Sequence, residues 1–140
     1  MGSVEPTPAQ LQKLRDEISR PGPLVMINLL RFRERAAYPA GFDATPCSGR
    51  EAYLRYGSVA TIKVAEVGGR ILWTAAVKMS VIAPEGEEWD EAVLVEYPSR
   101  AAFVTMVSQP DYLAAAVHRT AALVDSRLLL TEVESDFFRS

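Results

Sequence analysis

Apolar residues recur along the chain at two spacings, one typical of helices and the other of strands. At helical spacing, Leu11, Leu14 and Ile18 fall on one face. Thr7-Pro8 supplies an N-cap and a proline for the first turn, and the Arg-Pro-Gly-Pro run at 20–23 ends the pattern. The spacing predicts a leading segment over residues 1–20 whose helix packs across the main fold.

The longest apolar run, Leu24 to Leu30, predicts the first strand. Because apolar and polar residues do not alternate within it, we expect both of its faces to be buried. Residues 31–47 carry several charges and are interrupted by proline and glycine. This segment is predicted to be a loop longer than an ordinary connection, and loops of that kind are functional or mobile.

The rest of the chain alternates between helix and strand signals. Ser48 and Glu51 form a capping-box sequence at the start of a long helix, and Gly68-Gly69 ends it. We predict a helix over 48–67, followed by strands over 70–83 and 89–97 that are joined by a turn at 84–88. A helix capped by Ser99 follows and is interrupted at Gln109-Pro110, and a second helical segment, capped by Asp111, ends near Val124. The chain then forms a turn at Asp125-Ser126, a strand over 127–133 and a tail over 134–140.

After the leading helix, the predicted order is β-α-β-β-α-β, which is typical of the ferredoxin-like, split-βαβ fold. We therefore predict one α+β domain over residues 1–140, with its core at about 24–133 and helices on one face of an antiparallel sheet. The first and last strands are apolar on both sides, so the other face also needs a cover. We expect a homodimer in which two sheets pack face to face as a barrel. The alternative is a monomer whose leading helix and tail cover that face.

The composition and motifs of the chain exclude several classes of function. The 140 residues carry a net charge of −3, which argues against nucleic-acid binding. With one cysteine and one histidine, neither an internal disulfide nor a Cys/His zinc cluster is possible. The P-loop and G-x-G-x-x-G motifs are absent, and we predict no cofactor and no metal. No secretory signal or membrane-spanning run is visible, so we expect a cytoplasmic protein without a membrane partner.

Several short motifs resemble one bacterial family. They are Met26–Phe32, Ser48–Tyr53, Val67–Arg70, Val95–Phe103, Pro110–Tyr112, His118–Leu123 and Asp125–Leu128. Together they span about Leu24 to Val133, and they resemble the family of domain of unknown function 1330, in the dimeric α/β-barrel superfamily. The resemblance implies a ferredoxin-like fold and a dimer. It implies no single activity, since that superfamily includes cofactor-free monooxygenases, lactone isomerases, dehydratases and haem enzymes.

Two polar residues are the candidate catalytic groups. Asn28, the one asparagine, lies inside the apolar first strand and needs hydrogen-bond partners there, either in a ligand pocket or from neighbouring backbone or water. His118, the one histidine, titrates near neutral pH and is the natural acid or base. Its alternative role is that of a surface or partly buried helix residue without a catalytic task.

Large aromatic residues are the candidate walls of a ligand site. Tyr53, Tyr56 and Trp73 lie on elements that we expect to face each other across the helix–sheet layer. Trp73 is predicted to share one side of its strand with Ile71, and Gly57 leaves space beneath its helix. This pattern predicts either an aromatic-lined pocket or close packing of helix on sheet.

The charged candidates for ligand contact are Glu96 and Arg119. Glu96, at the end of a core strand, is either an inward-facing base or, as is more common, the partner of Arg100 or Arg127. Arg119 either binds a carboxylate or is solvated. The acidic residues around the predicted turn lack the spacing of a calcium site and are predicted to be solvated: Glu85, Glu87, Glu88, Asp90 and Glu91.

These residues together predict a protein that binds a small molecule. On the first hypothesis, it is a cofactor-independent enzyme that acts on an apolar or aromatic metabolite by proton transfer or oxygenation, with Asn28 and His118 as its polar contacts. On the second, it is a non-catalytic dimeric module that binds a metabolite or a partner protein. A pocket that contains His118 favours the enzyme, and a His118 outside the pocket favours the binding module.

Overall fold

The computed structural model describes residues 2–17 and 22–138. Its elements are α1 (Pro8–Asp16), β1 (Leu24–Phe32), α2 (Gly49–Glu66), β2 (Arg70–Ala76), β3 (Glu91–Tyr97), α3 (Arg100–Val107), α4 (Pro110–Ala122) and β4 (Leu123–Thr131). The α+β class and the β-α-β-β-α-β order are confirmed, with the second crossover divided into α3 and α4. Ile18, Arg20 and Pro21, which belong to the predicted leading helix and its end, lie outside the described residues.

The four strands form one antiparallel sheet in the order β2-β3-β1-β4. This is the ferredoxin-like arrangement that the element order predicts. The central strand β1 is hydrogen-bonded on both sides, and its Asn28 lies opposite Val93 of β3 and Leu128 of β4. Residues that lie opposite one another project from the same face of a sheet, so these three side chains share a face.

Local capping interactions explain where the two central helices begin. The Ser48 hydroxyl accepts a hydrogen bond from the Glu51 backbone at 3.1 Å, and the Glu51 carboxylate accepts one from the Ser48 backbone at 3.0 Å. Ser99 accepts one from the Ala102 backbone at 3.0 Å. Each bond satisfies a backbone N–H group that has no partner inside its helix. Both predicted caps are therefore confirmed.

The predicted cap of α4 is wrong. Gln109 occupies the N-cap position and makes no capping hydrogen bond, and Pro110 begins the helix. The Asp111 carboxylate instead accepts hydrogen bonds from the Lys63 ammonium at 2.7 Å and from the Tyr112 backbone at 3.0 Å. Proline at the first helical position needs no N–H partner, which leaves Asp111 available to tie α4 to α2.

The predicted end of β2 and the predicted start of β4 are also wrong. Strand β2 ends at Ala76 rather than at 83, because β3 does not begin until Glu91 and no strand of the described residues lies opposite the residues after Val77. Strand β4 follows α4 directly, and the predicted turn at Asp125-Ser126 lies within it. The Ser126 hydroxyl donates a hydrogen bond to the Ser3 carbonyl at 2.7 Å. This bond satisfies the polar side chain within the strand, although the sequence pattern assigned Ser126 to a turn.

The two faces of the sheet have different environments. The helix-facing side packs against α2, α3 and α4 around a core in which the largest fully buried side chains are Leu24, Leu30, Met106 and Leu123. The opposite side, here called the outer face, carries Ile27, Leu29, Trp73, Leu94 and Leu129. On it, Trp73 and Leu129 are 39% and 50% exposed. The helices therefore cover one face only.

The long connection between β1 and α2 is fixed to the helical layer. The Arg33 backbone donates to the Ala122 carbonyl at 2.8 Å, and the Ala37 backbone donates to the Ala121 carbonyl at 2.8 Å. Residues 31–47 thus follow the end of α4, and Ala37 and Pro39 border the space between helices and sheet.

Candidate ligand-binding site

A large open cavity of about 1830 Å³ lies between the helix-facing side of the sheet and helices α2 and α4, and it reaches the N-terminal segment at its rim. We call it the helix–sheet cavity. Most of its lining is apolar. Among its polar lining residues are Asn28, Tyr53, Tyr56, Glu91, Tyr112 and Arg119.

Asn28 lies on the sheet side of this cavity. Its amide nitrogen donates to the Val93 carbonyl at 3.4 Å, which is at the long limit of a hydrogen bond. Its amide oxygen has no hydrogen-bond partner within residues 2–17 and 22–138. Asn28 therefore presents an acceptor group to the cavity, as the sequence predicted it could.

Glu91 also lies on the sheet side of the cavity, at the start of β3. It pairs with Leu30, one step along the same face from the Asn28–Val93 pair, and such diagonal neighbours are about 7–8 Å apart. Its half-buried carboxylate makes no hydrogen bond or ion pair with any residue that the structure describes. Glu91 was predicted from the sequence to be among the solvated residues of the turn. It lies two and four positions before the core residues Val93 and Val95, so all three project from the same face of β3.

Three tyrosines line the helix side of the cavity. The Tyr56 and Tyr112 hydroxyls are hydrogen-bonded at 2.8 Å, and the Tyr53 and Tyr56 rings are 5.4 Å apart. The Tyr53 hydroxyl has no hydrogen-bond partner among the described residues. Burial raises the pKa of Tyr53 to about 12, with the Arg119 charge lowering it and the Glu91 charge raising it. At neutral pH, Tyr53 is therefore a protonated donor within reach of both charges.

Arg119 lies at the rim of the cavity. One of its guanidinium nitrogens donates to the Val4 carbonyl at 2.8 Å, which joins α4 to the N-terminal segment. Burial raises the pKa of both Tyr53 and Tyr56, and the Arg119 charge opposes that rise. A guanidinium carries five N–H donors, so this contact leaves others for an anionic or carbonyl group of a ligand.

His118 lies outside the helix–sheet cavity, so the two predicted catalytic residues are not brought together. Its Nδ1 is 2.6 Å from the Tyr38 hydroxyl, which also accepts a hydrogen bond from Arg55 at 3.1 Å. Burial, and then the Arg55 charge, lower the pKa of His118. A helix has about 3.6 residues per turn, so the face of α4 that places Ala116 on the cavity turns His118 toward the 31–47 loop.

Trp73 is also outside the cavity, and the predicted wall of Tyr53, Tyr56 and Trp73 does not form. The register of β2 against β3 shifts between Ile71 and Trp73. Ile71 and Thr74 consequently line the cavity, while Trp73 lies opposite Leu94 on the outer face. A bulge adds one residue to a strand and reverses the alternation that the sequence suggested.

Glu96 occupies the outer face as well, and it does not line the cavity. It lies opposite Arg70, and the two side chains form an ion pair at 3.1 Å. The ion-pair alternative for Glu96 is thus confirmed, but its predicted partners are wrong. Arg100 instead pairs with Glu17 at 2.8 Å, and Arg127 pairs with Asp125 at 2.7 Å.

The sheet order and the packing of the helices on one face define a ferredoxin-like α+β protein. The chain belongs to the family described as domain of unknown function (DUF1330), whose sequence profile matches residues 46–133. The matched region begins after β1, so it does not include Asn28. It also begins later than the resemblance described above, which starts at about Leu24. A sequence search among curated proteins finds no match.

Solved structures extend the comparison to nearly the whole chain. A protein of unknown function from Rhodopseudomonas palustris, RPA0582, is 38% identical, with a TM-score of 0.88 over 97% of this chain and 100% of that one. SnoaB from Streptomyces nogalater, a cofactor-independent oxygenase, is 12% identical, with a TM-score of 0.54 over 83% and 97% of the two chains. A hydroxynitrile lyase from Passiflora edulis is 14% identical, with a TM-score of 0.54 over 84% and 99%. The last two likenesses show the fold alone.

Within residues 2–17 and 22–138, no helix combines the length and the apolar character that crossing a bilayer requires.

Proposed function

We propose that this protein binds a small apolar or aromatic molecule in the helix–sheet cavity. The observation that carries the proposal is that the Tyr53 hydroxyl and the Asn28 amide oxygen, which have no hydrogen-bond partner in the described part of the chain, line a mostly apolar cavity. Polar groups in such surroundings are normally hydrogen-bonded. A ligand with an apolar body and one or two polar groups would supply the missing bonds.

The size of the cavity supports a small organic ligand. Its volume of about 1830 Å³ exceeds the range of about 300–1,000 Å³ that is usual for small-molecule sites, and it includes the open rim at the N-terminal segment. Aromatic walls with a few polar groups that fix orientation are typical of such sites. The three tyrosines and Arg119 correspond to that description.

Catalysis without a bound cofactor, by proton transfer or oxygenation, is the extended form of this proposal. Two proteins of the same fold, a cofactor-independent oxygenase and a hydroxynitrile lyase, are enzymes by name. The position of His118 outside the cavity favours the second candidate, a binding module without turnover. The two candidates differ in whether a cavity group other than His118 performs proton transfer.

Binding of β-naphthol, an aromatic alcohol, tests the proposal by calorimetric titration of wild type and two variants. Tyr53→Phe and Asn28→Ala each remove one unpartnered polar group, and we expect each to weaken binding by about 5-fold, or roughly 1 kcal/mol. His118→Ala is the control and should bind as wild type does. Affinity lost in His118→Ala but retained in the other two variants would contradict the proposed site.

We also propose that two copies pack their outer faces together. Ile27, Leu29 and Leu94 are half-buried there, and Trp73 and Leu129 remain 39% and 50% exposed. Contiguous apolar surface of this kind marks an interaction site, and a second copy with a two-fold axis would match it with the same surface.

Sedimentation equilibrium tests the homodimer. Wild type should have about twice the chain mass of 15.4 kDa, and Trp73→Glu should sediment as the single chain. Ile62→Glu, at a 59% exposed apolar residue on α2, is the matched control and should remain a dimer. A wild-type mass near 15.4 kDa at micromolar concentration would contradict the dimer without affecting the proposed ligand site.

A further inference from the structure

We infer that Glu91 is the proton acceptor of the helix–sheet cavity and that the ligand is a carbon acid, meaning an apolar or aromatic molecule with an enolisable carbonyl group. This inference rests on the proposed function and adds a chemical class of substrate to it. The reaction is abstraction of a proton from the carbon next to the carbonyl, exchange of that proton with solvent while Glu91 holds it, and return of a proton to the same or a neighbouring carbon.

The choice of Glu91 follows from the acidic groups that reach the cavity. Among the described residues, two carboxylates line it, Glu5 and Glu91. Glu5 accepts a hydrogen bond from Thr120 at 3.0 Å, at the N-terminal rim. Glu91 lies on the sheet and has no hydrogen bond or ion pair within the part of the chain that the structure describes. A half-buried carboxylate without a protein partner, beside a cavity, is available to take a proton from a ligand.

The groups around Glu91 suit the charge that such a reaction develops. When the Glu91 carboxylate takes the proton, the C–H electron pair becomes the new C=C bond of an enolate, and the carbonyl oxygen gains the negative charge. Tyr53, on the opposite wall, can donate its unpartnered hydroxyl hydrogen to that oxygen, as in an oxyanion hole. The Arg119 charge at the rim offsets the negative charge further.

Two further observations agree with these roles. The raised pKa of Tyr53, due mainly to burial, keeps its phenol protonated and therefore able to donate. The Asn28 amide, diagonal to Glu91 on the sheet, offers an acceptor or a donor with which to orient the carbonyl-bearing end of the ligand. No oxidant, metal or cofactor enters this step, because Glu91 removes one proton and returns one, so neither the charge nor the oxidation state of the ligand changes overall.

Hydrogen exchange measures this step on a defined probe. β-Tetralone, an aryl-fused ketone with acidic protons beside its carbonyl, is incubated with the protein in deuterium oxide, and loss of those proton signals is followed by NMR. Wild type should exchange them faster than buffer alone. Glu91→Gln should slow the catalysed rate by about 10²-fold or more, because general-base groups contribute about 10²–10⁴-fold. Its affinity for β-tetralone, measured by calorimetry, should change by less than about 5-fold.

The controls separate this inference from the proposed binding function. Glu88→Gln, at an exposed carboxylate of the same hairpin, should exchange as fast as wild type. Exchange by Glu91→Gln at the wild-type rate would overturn the assignment of Glu91. Binding of β-tetralone without exchange above buffer would overturn the carbon-acid chemistry and leave ligand binding intact. If β-tetralone does not bind, both the inference and the proposed site for an aromatic ligand are overturned.

Discussion

Replacement of Asn28 by leucine should stabilise the protein while it weakens ligand binding. Asn28 lies in an apolar strand, with its amide nitrogen 3.4 Å from the Val93 carbonyl and its amide oxygen without a partner among the described residues. An asparagine whose role is to stabilise the fold would make shorter or additional hydrogen bonds. If ligand binding is the reason for the asparagine, a leucine of similar size should fit the ligand-free protein better.

The expected gain follows from three contributions. Full burial of a leucine side chain is worth about 1.5–3 kcal/mol, and this half-buried position should give roughly half of that. Loss of the single long hydrogen bond costs about 0.5 kcal/mol, while the desolvated amide disappears with it. The net effect of Asn28→Leu is a stabilisation of about 0.5–1 kcal/mol, or a rise in Tm of about 2–4 °C.

Urea unfolding at one fixed protein concentration measures this change, since subunit association makes the midpoint depend on concentration. Met26→Leu is the matched control, because Met26 precedes Asn28 on the same face and is buried in the core. It should change stability by less than about 1.5 kcal/mol. Destabilisation of Asn28→Leu by 1 kcal/mol or more, about the worth of a well-made hydrogen bond, would refute the reasoning and assign Asn28 a structural role.

Two further predictions concern the junction of α2, α4 and the 31–47 loop. Gly49→Ala should destabilise the protein by about 1–3 kcal/mol in urea unfolding, because a Cβ would lie 2.7 Å from the Ala122 carbonyl oxygen. Gly57→Ala, with nothing within 4 Å of its Cβ, should instead stabilise by up to about 1 kcal/mol, and equal effects would contradict this account. Burial lowers the pKa of His118 in the folded state below its usual 6.5, so the folded state binds fewer protons than the unfolded state as the pH falls past 6.5. Stability in urea unfolding should therefore fall as the pH drops from 6.5 through the lower folded-state pKa, and His118→Gln should flatten this dependence.

Local signals in the sequence predict most of the fold. The Ser48–Glu51 box and the Ser99 cap define helix starts through contacts between residues three positions apart, which the sequence contains in full. The order of strands and helices then leads to the ferredoxin-like topology, since connection rules allow few alternatives. The strand ends at Ala76 and Leu123 were not predictable in this way, because each depends on which residue of another element lies opposite.

The candidate site was predicted only in part, and the reasons are geometric. Asn28, Tyr53, Tyr56 and Arg119 all line the cavity. Trp73 does not, because one bulge in β2 reverses its side, and no residue of the sequence signals that bulge.

The positions of His118 and Glu91 relative to the cavity were not predicted, for different reasons. The direction of His118 depends on how α4 is rotated against the sheet, which its apolar pattern alone does not fix. Glu91 was recognisable, because it continues the alternation of Val93 and Val95. The nearby acidic residues of the hairpin obscured that signal.

Because the chain has one asparagine and one histidine, NMR can test the ligand site without ambiguity. Labelling asparagine alone with the heavy nitrogen isotope makes the Asn28 side-chain amide a single reporter inside the cavity, and the His118 ring protons report from outside it. On titration with β-naphthol, we predict that the Asn28 amide signals shift in proportion to occupancy while the His118 signals stay in place. Shifts of His118 with an unmoved Asn28 amide, at saturating β-naphthol, would contradict the central claim that this cavity is the ligand site.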